Sequence, residues 1–298
     1  MLLLTPTNWP DYELIDSGNY KKLERFGSFI LDRPEPQAVW DPSLPESEWN
    51  KMSNAVFKKE KGSNSSLTQD RGEWIQKKGM SQQWFLDYKR KDFQLKFRLG
   101  MSSFKHVGIF PEQAGNWDYI YEKVSKMKLQ SPRVLNLFAY TGGASLAAKA
   151  AGADVSHVDS VKQVISWARE NMEASNLADI RWVVEDAMKF VQREVKRGSK
   201  YQGIILDPPA YGRGPKGEKW IIEDQLNELI KLCKQLLDEK NNFFILNLYS
   251  IGFSALIVET LINTTFGKKS NLEIGELYLA DSFAKKLPLS IFGRFSSI

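Results

Sequence analysis

Cysteine is almost missing from this 298-residue sequence and histidine is scarce: one Cys, at position 233, and two His, at 106 and 157. A lone thiol makes no internal disulfide, and no Cys/His group has metal-ligand spacing, so no metal is expected. Long apolar runs are also lacking, which excludes a membrane-spanning helix. The opening segment has too short an apolar stretch, and no basic flank, to read as a secretion signal. A cytoplasmic location follows as an expectation. Charge of one sign is not extreme either: 41 basic against 36 acidic residues give a net charge of +5 and a pI near 9.0. That balance permits a polyanionic partner such as RNA without requiring one. Nothing in the sequence specifies an oligomeric state.

What is present divides into two textures. Residues 1–100 carry short alternating runs, at 27–32, 82–89 and 92–100, separated by turn material at Asp16-Ser17-Gly18-Asn19 and at 62–66. Such runs read as antiparallel strands, so a small β-rich domain is expected. Asn64-Ser65-Ser66 matches a glycosylation sequon, which is without meaning in the cytoplasm. Residues 101–298 instead alternate apolar strand-like and amphipathic helix-like segments. Strands are expected at 134–138, 154–159, 179–185, 201–207 and 242–250, with a helix after each, including a long one over 218–240. This alternation predicts an α/β fold with a mostly parallel sheet covered on both faces. Two extended runs, 271–280 and 287–298, are expected to pair antiparallel at the sheet edge.

In such sheets ligands bind beyond the carboxyl ends of the strands. The first strand leads into Phe138-Ala139-Tyr140-Thr141-Gly142-Gly143. The double glycine either allows close backbone approach to a ligand or simply makes a tight turn. Its spacing is neither that of a dinucleotide fingerprint nor that of a phosphate loop; Gly212–Glu218 also fails the latter test, because Glu218 stands where lysine is needed. The second strand ends at Asp159-Ser160, where a carboxylate is placed to accept both hydroxyls of an adenosine ribose; Asp159 or Ser160 would equally serve as a helix cap. The third ends at Asp186-Ala187, where the acid would accept from an adenine amino group or favour the helix that follows. The fourth ends at Asp207-Pro208-Pro209-Ala210-Tyr211. Two prolines make a rigid arm with unpaired carbonyls, and Tyr211 adds a flat face for stacking an acceptor ring.

Residues 135–143, Val158-Asp159-Ser160, Trp167-Ala168-Arg169-Glu170-Asn171 and Asp207-Pro208-Pro209 together resemble the class I S-adenosylmethionine methyltransferases. The likeness is strongest to the bacterial large-subunit rRNA enzymes that modify cytosine C5 or guanine N7. It implies a Rossmann-like seven-stranded methyltransferase sheet over 101–298, with S-adenosyl-L-methionine as cofactor. Thr141 and Gly142 would then line its methionine part, within a loop that includes Phe138, Tyr140 and Gly143. Asp159 with Ser160 would hold the ribose, and Asp186 with Ala187 the adenine. Gly108–Gln113 matches a segment lying over the cofactor in similar enzymes, with Gln113 helping to enclose it. Asp207, Pro208, Pro209 and Tyr211 would shape the acceptor site.

The sequence departs from the cytosine-C5 pattern in lacking a cysteine after the fifth strand, which disfavours a covalent mechanism. An RNA-binding module of the kind common in these enzymes is not recognisable in residues 1–100. Direct transfer to a ring nitrogen or exocyclic amine of an RNA base is therefore the expected activity. Methylation of a protein or small molecule is the alternative, and a nucleotide-binding protein that methylates nothing is a third. Lys89-Arg90-Lys91, Lys96, Arg98 and Lys105, interleaved with Trp84, Phe85, Tyr88, Phe93 and Phe97, are either an RNA surface or a solvated strand face.

Overall fold

A computed structural model describes residues 1–60, 71–249 and 252–298; the 62–66 turn and the sequon lie outside the described residues. The chain forms two compact units, one of residues 1–4, 113–277 and 290–298, the other of residues 5–112 and 278–289. After β1 (Leu2–Leu4) come β2 (Tyr12–Gly18), β3 (Lys21–Phe26), β4 (Phe29–Pro34), α1 (Glu46–Met52), β5 (Ala55–Lys59) and β6 (Gly72–Gln76). Strands β2 to β6 make a five-stranded sheet in sequence order. β7 (Gln83–Lys89) and β8 (Gln94–Gly100) pair antiparallel as a separate hairpin.

The β-rich unit buries charge as well as apolar surface. Glu24 is fully buried and accepts from Arg33 Nε at 2.9 Å and Nη2 at 2.6 Å, and from the Tyr12 hydroxyl at 2.9 Å. Burial alone would raise the Glu24 pKa; Arg33 and Lys22 outweigh it and hold the carboxylate below its ordinary range. Asp16, expected in a turn, instead lies inside β2 with no exposed surface. Its carboxylate collects the backbone N–H groups of Ser17, Ser43 and Leu44, the Trp49 indole N–H and the Lys285 ammonium, all within 3.1 Å.

The aromatic-basic hairpin divides most of its aromatic residues from its basic ones by face. Trp84, Tyr88 and Phe97 point inward and are buried, because alternate residues of a strand face opposite sides. Phe85 alone among the hairpin aromatics is largely exposed, and Lys89 and Lys96 both reach Asp87 on the outer face.

A 3-10 turn (Pro111–Gln113) crosses the boundary at residue 113, and the second unit continues with α2 (Ala114–Lys126). There follow β9 (Arg133–Leu137), α3 (Gly143–Ala150), β10 (Asp154–Asp159), α4 (Lys162–Ala174), β11 (Ile180–Val184), α5 (Ala187–Lys196) and β12 (Gly203–Leu206). A short hairpin, β13 (Tyr211–Arg213) and β14 (Lys219–Ile221), precedes α6 (Ile222–Leu236). The expected long helix therefore starts at Ile222, since Lys219–Ile221 is used as strand. β15 (Phe243–Leu248), α7 (Ala255–Phe266), β16 (Glu273–Ala280) and β17 (Lys286–Ser296) complete the chain.

Its sheet runs β1-β16-β17-β15-β12-β9-β10-β11, with β17 antiparallel to β15. The strand count is eight rather than seven because Leu2–Leu4 adds parallel to β16, covering what would be the edge. β9, β12 and β15 are central, and every residue of β12 and β15 is buried, as strands covered on both faces require. From β9 the order proceeds to β10 and β11 on one side and to β12 on the other, so the strand order reverses there, the place where a ligand crevice opens. Among the described residues no helix is long and apolar enough to cross a membrane.

Replacing Glu24 by Gln leaves the Arg33 guanidinium buried without its counter-charge. We expect Glu24→Gln to lower the stability of the β-rich unit by about 3–5 kcal/mol, read from urea unfolding; an unchanged midpoint would refute this account of the network.

Candidate active site at the strand ends

The chain leaves β9 through an alternation of left-handed residues: Phe138 (φ 56°), Tyr140 (φ 49°) and Gly142 (φ 94°). For residues with a Cβ this conformation is unfavourable by roughly 1–2 kcal/mol each, so the turn has to be held from outside. Ala139 N–H donates to Val158 O at 3.1 Å and Tyr140 N–H to Asp159 Oδ2 at 2.9 Å. From α4, Asn171 Nδ2 donates to Thr141 O at 2.9 Å. The two glycines have different reasons. Gly142 caps α3 in the left-handed region, whereas a Cβ on Gly143 would stand 2.7 Å from the Trp117 indole of α2.

Beneath this turn lies His157, fully buried, with Nδ1 3.0 Å from Ser145 Oγ, which itself accepts from Asn136 Nδ2 at 2.9 Å. Burial drives the imidazole pKa down to about 3, so the ring is neutral and supports the turn rather than acting as a base.

Asp159 closes the second strand. Besides Tyr140 it accepts from Val161 N–H at 2.9 Å, and burial pushes its pKa up in spite of these backbone donors. The residue at the N-terminus of α4 is Val161 and no side chain caps the helix, so Ser160 does not take the cap position considered for it. Asp186 is buried and caps α5 by accepting from Lys189 N–H at 3.0 Å, with Ala187 beginning the helix. Val161 and Val184, each 43% exposed, flank these two acids, Val184 being the register partner of Asp159. Sequence reading passed over both valines; their only signal was an apolar residue at each strand end.

At the end of β12, Asp207 Oδ1 accepts from Asn247 Nδ2 at 2.8 Å, and Asn247 Oδ1 accepts from Ser290 Oγ at 3.1 Å. The expectation that the arm keeps its carbonyls unpaired is corrected for two of them. Pro209 O accepts the Trp220 indole N–H at 2.7 Å, and Ala210 O accepts Ile222 N–H at 3.1 Å. Trp220 also packs on Phe138, ring centroids 4.8 Å apart, which ties the arm to the first turn. Pro208 is buried, while Pro209 is exposed and Tyr211 half-buried.

Gln113 ends a polar relay. Arg294 Nε donates to Glu273 at 2.7 Å and its Nη1 to Asn116 Oδ1 at 3.1 Å; Asn116 Nδ2 donates to Gln113 Oε1 at 2.9 Å. A guanidinium only donates, so each amide orientation along the relay is dictated and Gln113 Nε2 is left as a donor. That atom is buried with no acceptor. It lies one helical turn before Trp117, which packs on Gly143. Cys233 is buried within the core of α6, and burial pushes its thiol pKa well up. Among the described residues no three His, Cys, Asp or Glu gather as a metal site.

A family model described as S-adenosylmethionine-dependent methyltransferase matches residues 69–267. The crystal structure of an S-adenosylmethionine-dependent methyltransferase from Agrobacterium tumefaciens is 37% identical, with a TM-score of 0.89 over 100% of this chain and 94% of that one. A protein named putative ribosomal RNA large subunit methyltransferase, from Methanocaldococcus jannaschii, is 33% identical over 48% of this chain and 37% of its own length. Ribosomal RNA large subunit methyltransferase K/L of Shewanella frigidimarina is 29% identical over 48% of this chain and 20% of its own. The chain thus spans well under two thirds of either curated relative.

The buried imidazole makes a pH prediction. The folded pKa lies below the unfolded value, so the stability it confers is complete above about pH 6.5 and is lost as pH falls toward 3. Between pH 7 and 5 this amounts to about 2 kcal/mol. His157→Gln should remove that slope from urea-unfolding data; a variant with the wild-type pH dependence would contradict it.

Proposed function

This chain belongs to the S-adenosylmethionine-dependent methyltransferase family, and from that premise we propose that it moves the methyl group directly onto a nitrogen of an RNA base, in the cytoplasm. S-adenosylmethionine, when bound, supplies a methyl group already activated by a sulfonium, so the protein's share is positioning and exclusion of water.

Several features of this chain fit that guest. Gln113 carries a buried amide donor with no acceptor, suited to the carboxylate of the methionine part, to which Thr141, Gly142 and Gly143 are also assigned. Asp159 and Ser160 are assigned to the ribose, and Asp186 with Ala187 to the adenine, with the exposed Val161 and Val184 as apolar neighbours at the same two strand ends. Phe138 and Tyr140 give the loop its shape. Asp207, Pro208, Pro209 and Tyr211 are assigned to the acceptor, with Asp207 taking the proton that an exocyclic amine sheds; a ring nitrogen sheds none.

The observation that carries direct transfer is the burial of Cys233. The only thiol of the chain is shut in the core and held protonated, so no side chain is available to form the sulfur adduct that carbon methylation of cytosine requires. For RNA as acceptor, the support is the likeness over about half the chain to proteins named as rRNA methyltransferases.

Two outcomes test this. Incubated with cofactor labelled in the methyl group and with total RNA and protein from cells lacking the gene, the chain should label a base nitrogen of RNA. Cys233→Ala should keep that activity within about threefold below its unfolding temperature, whereas a covalent route loses it by orders of magnitude. Label found in protein and never in RNA would remove the RNA reading.

The second outcome concerns the relay. In Asn116→Asp the new carboxylate still accepts from Arg294 but has no N–H for Gln113 Oε1, so the Gln113 amide turns its donor away from the site. Affinity for S-adenosylhomocysteine should fall roughly 10–100-fold, the worth of a hydrogen bond to a charged group, while affinity for methylthioadenosine, which lacks the amino-acid end, stays put. Equal losses for both ligands would show that Gln113 does not address the carboxylate.

A further inference from the structure

Immediately after the Asp207–Pro209 arm, β13 and β14 form a hairpin in which Tyr211 faces Ile221, Gly212 faces Trp220 and Arg213 faces Lys219. Alternation places the middle pair on one side and the outer pairs on the other. The middle pair is turned inward: Trp220 is buried against Phe138 and donates to Pro209 O. Tyr211, Arg213, Lys219 and Ile221 consequently share the outward face.

That face is unfavourable for an isolated protein. Arg213 and Lys219 are exposed cations directly opposite each other, and like charges in that position repel. Lys216, at the turn, adds a third exposed cation. The one acid of the hairpin, Glu218, is committed elsewhere: it receives Lys189 Nζ at 2.6 Å from α5 and the Lys216 backbone N–H at 2.8 Å. Among the described residues none of Arg213, Lys216 and Lys219 pairs with a carboxylate. The hairpin is braced at its base by the Trp220–Pro209 and Ile222–Ala210 hydrogen bonds, so the cations are presented by a held element. Arg213 is exposed and its Nε donates to the Tyr211 hydroxyl at 3.2 Å, which leaves the two Nη groups as a fork of the kind that takes a phosphate in two hydrogen bonds.

We propose that the outward face of this hairpin grips the phosphate backbone of single-stranded RNA beside the acceptor base, with Arg213 and Lys219 each neutralising a phosphate and Tyr211 offering a flat surface to a neighbouring base. This rests on the reading of RNA as substrate. A single strand is favoured over a duplex because a flat phenol beside a fork of cations suits unstacked bases, and unstacking is also what exposes a base to the arm. Along the extended chain Arg213 is six residues from Asp207, within about 20 Å, so the contact lies within a few nucleotides of the acceptor.

The test is fluorescence anisotropy of the full chain with a fluorescein-labelled single-stranded RNA of about 20 nucleotides, across a salt series. Arg213→Gln/Lys219→Gln should lower the slope of log K against log salt by about 1.4, two contacts at about 0.7 each. Lys231→Gln/Lys234→Gln, which removes equal charge from the exposed side of α6, should change the slope much less. Thermal stabilisation by S-adenosylhomocysteine should be the same in all three proteins, which reports intact folding. If the wild type binds RNA and the hairpin pair keeps its slope, or the α6 pair loses as much, the assignment of this face is wrong while RNA as substrate stands. If the wild type binds no RNA, substrate and face fall together. Loss of polyglutamate binding with RNA binding intact would give the face to an acidic protein and overturn it as well.

Discussion

The hydrogen bond from the Tyr140 N–H to the Asp159 carboxylate carries the connection between two neighbouring parallel strands one step beyond their last backbone bond, Ala139 N–H to Val158 O. On one side of it the chain leaves β9 through left-handed residues, two of them with side chains, in a conformation that L-residues avoid. On the other side the same carboxylate holds the Val161 N–H and so fixes the approach to α4. One buried acid therefore sets two loops at once. Burial opposes ionisation of this acid, and the converging backbone donors offset only part of that. The remaining supports are arranged around this bond: Asn171 holds the Thr141 carbonyl from α4, and neutral His157 fills the space below without importing a charge of its own.

The core was legible in the sequence because its strands are apolar on both faces and its helices on one, so two periodicities could be read without knowing any partner. The strand-end acids and the double glycine were legible for the same reason, as punctuation at the places where one period gives way to the other. Asp16 was not. It sits in a stretch of turn-like composition, and what makes it a buried strand residue is Lys285, 269 positions away. The hairpin aromatics were legible only in part: alternation was visible at Trp84, Leu86 and Tyr88, but composition alone does not say which face is inside, and here the aromatic face is.

Groups that act through another residue were the least visible. Asn116 and Arg294 have no motif; they matter because a guanidinium that can only donate dictates the orientation of two amides in series, and Glu273 and Arg294 come from strands that close the chain. Asn247 and Ser290 stand in the same relation to Asp207. Gly143 was noticed for a reason other than the one the structure supplies, since it is the Trp117 indole that leaves no room for a Cβ. A single sequence displays the polar residues at strand ends far better than it displays the pairs that hold them in place.

The chemistry open to the site narrows by successive closures. The chain's single thiol lies in the core and is protonated, and His157 is neutral beneath the turn. Of the carbonyls on the proline arm, Pro209 and Ala210 already have donors. At the end of β12 the Asp207 carboxylate is steadied by an asparagine that is itself steadied by a serine. In the proposed reaction the Asp207–Pro208 corner would orient a planar acceptor and take up a proton after the fact, without generating a strong nucleophile beforehand. An acceptor that succeeds there has to arrive with its own lone pair, and that requirement favours nitrogen over carbon in the proposed reaction.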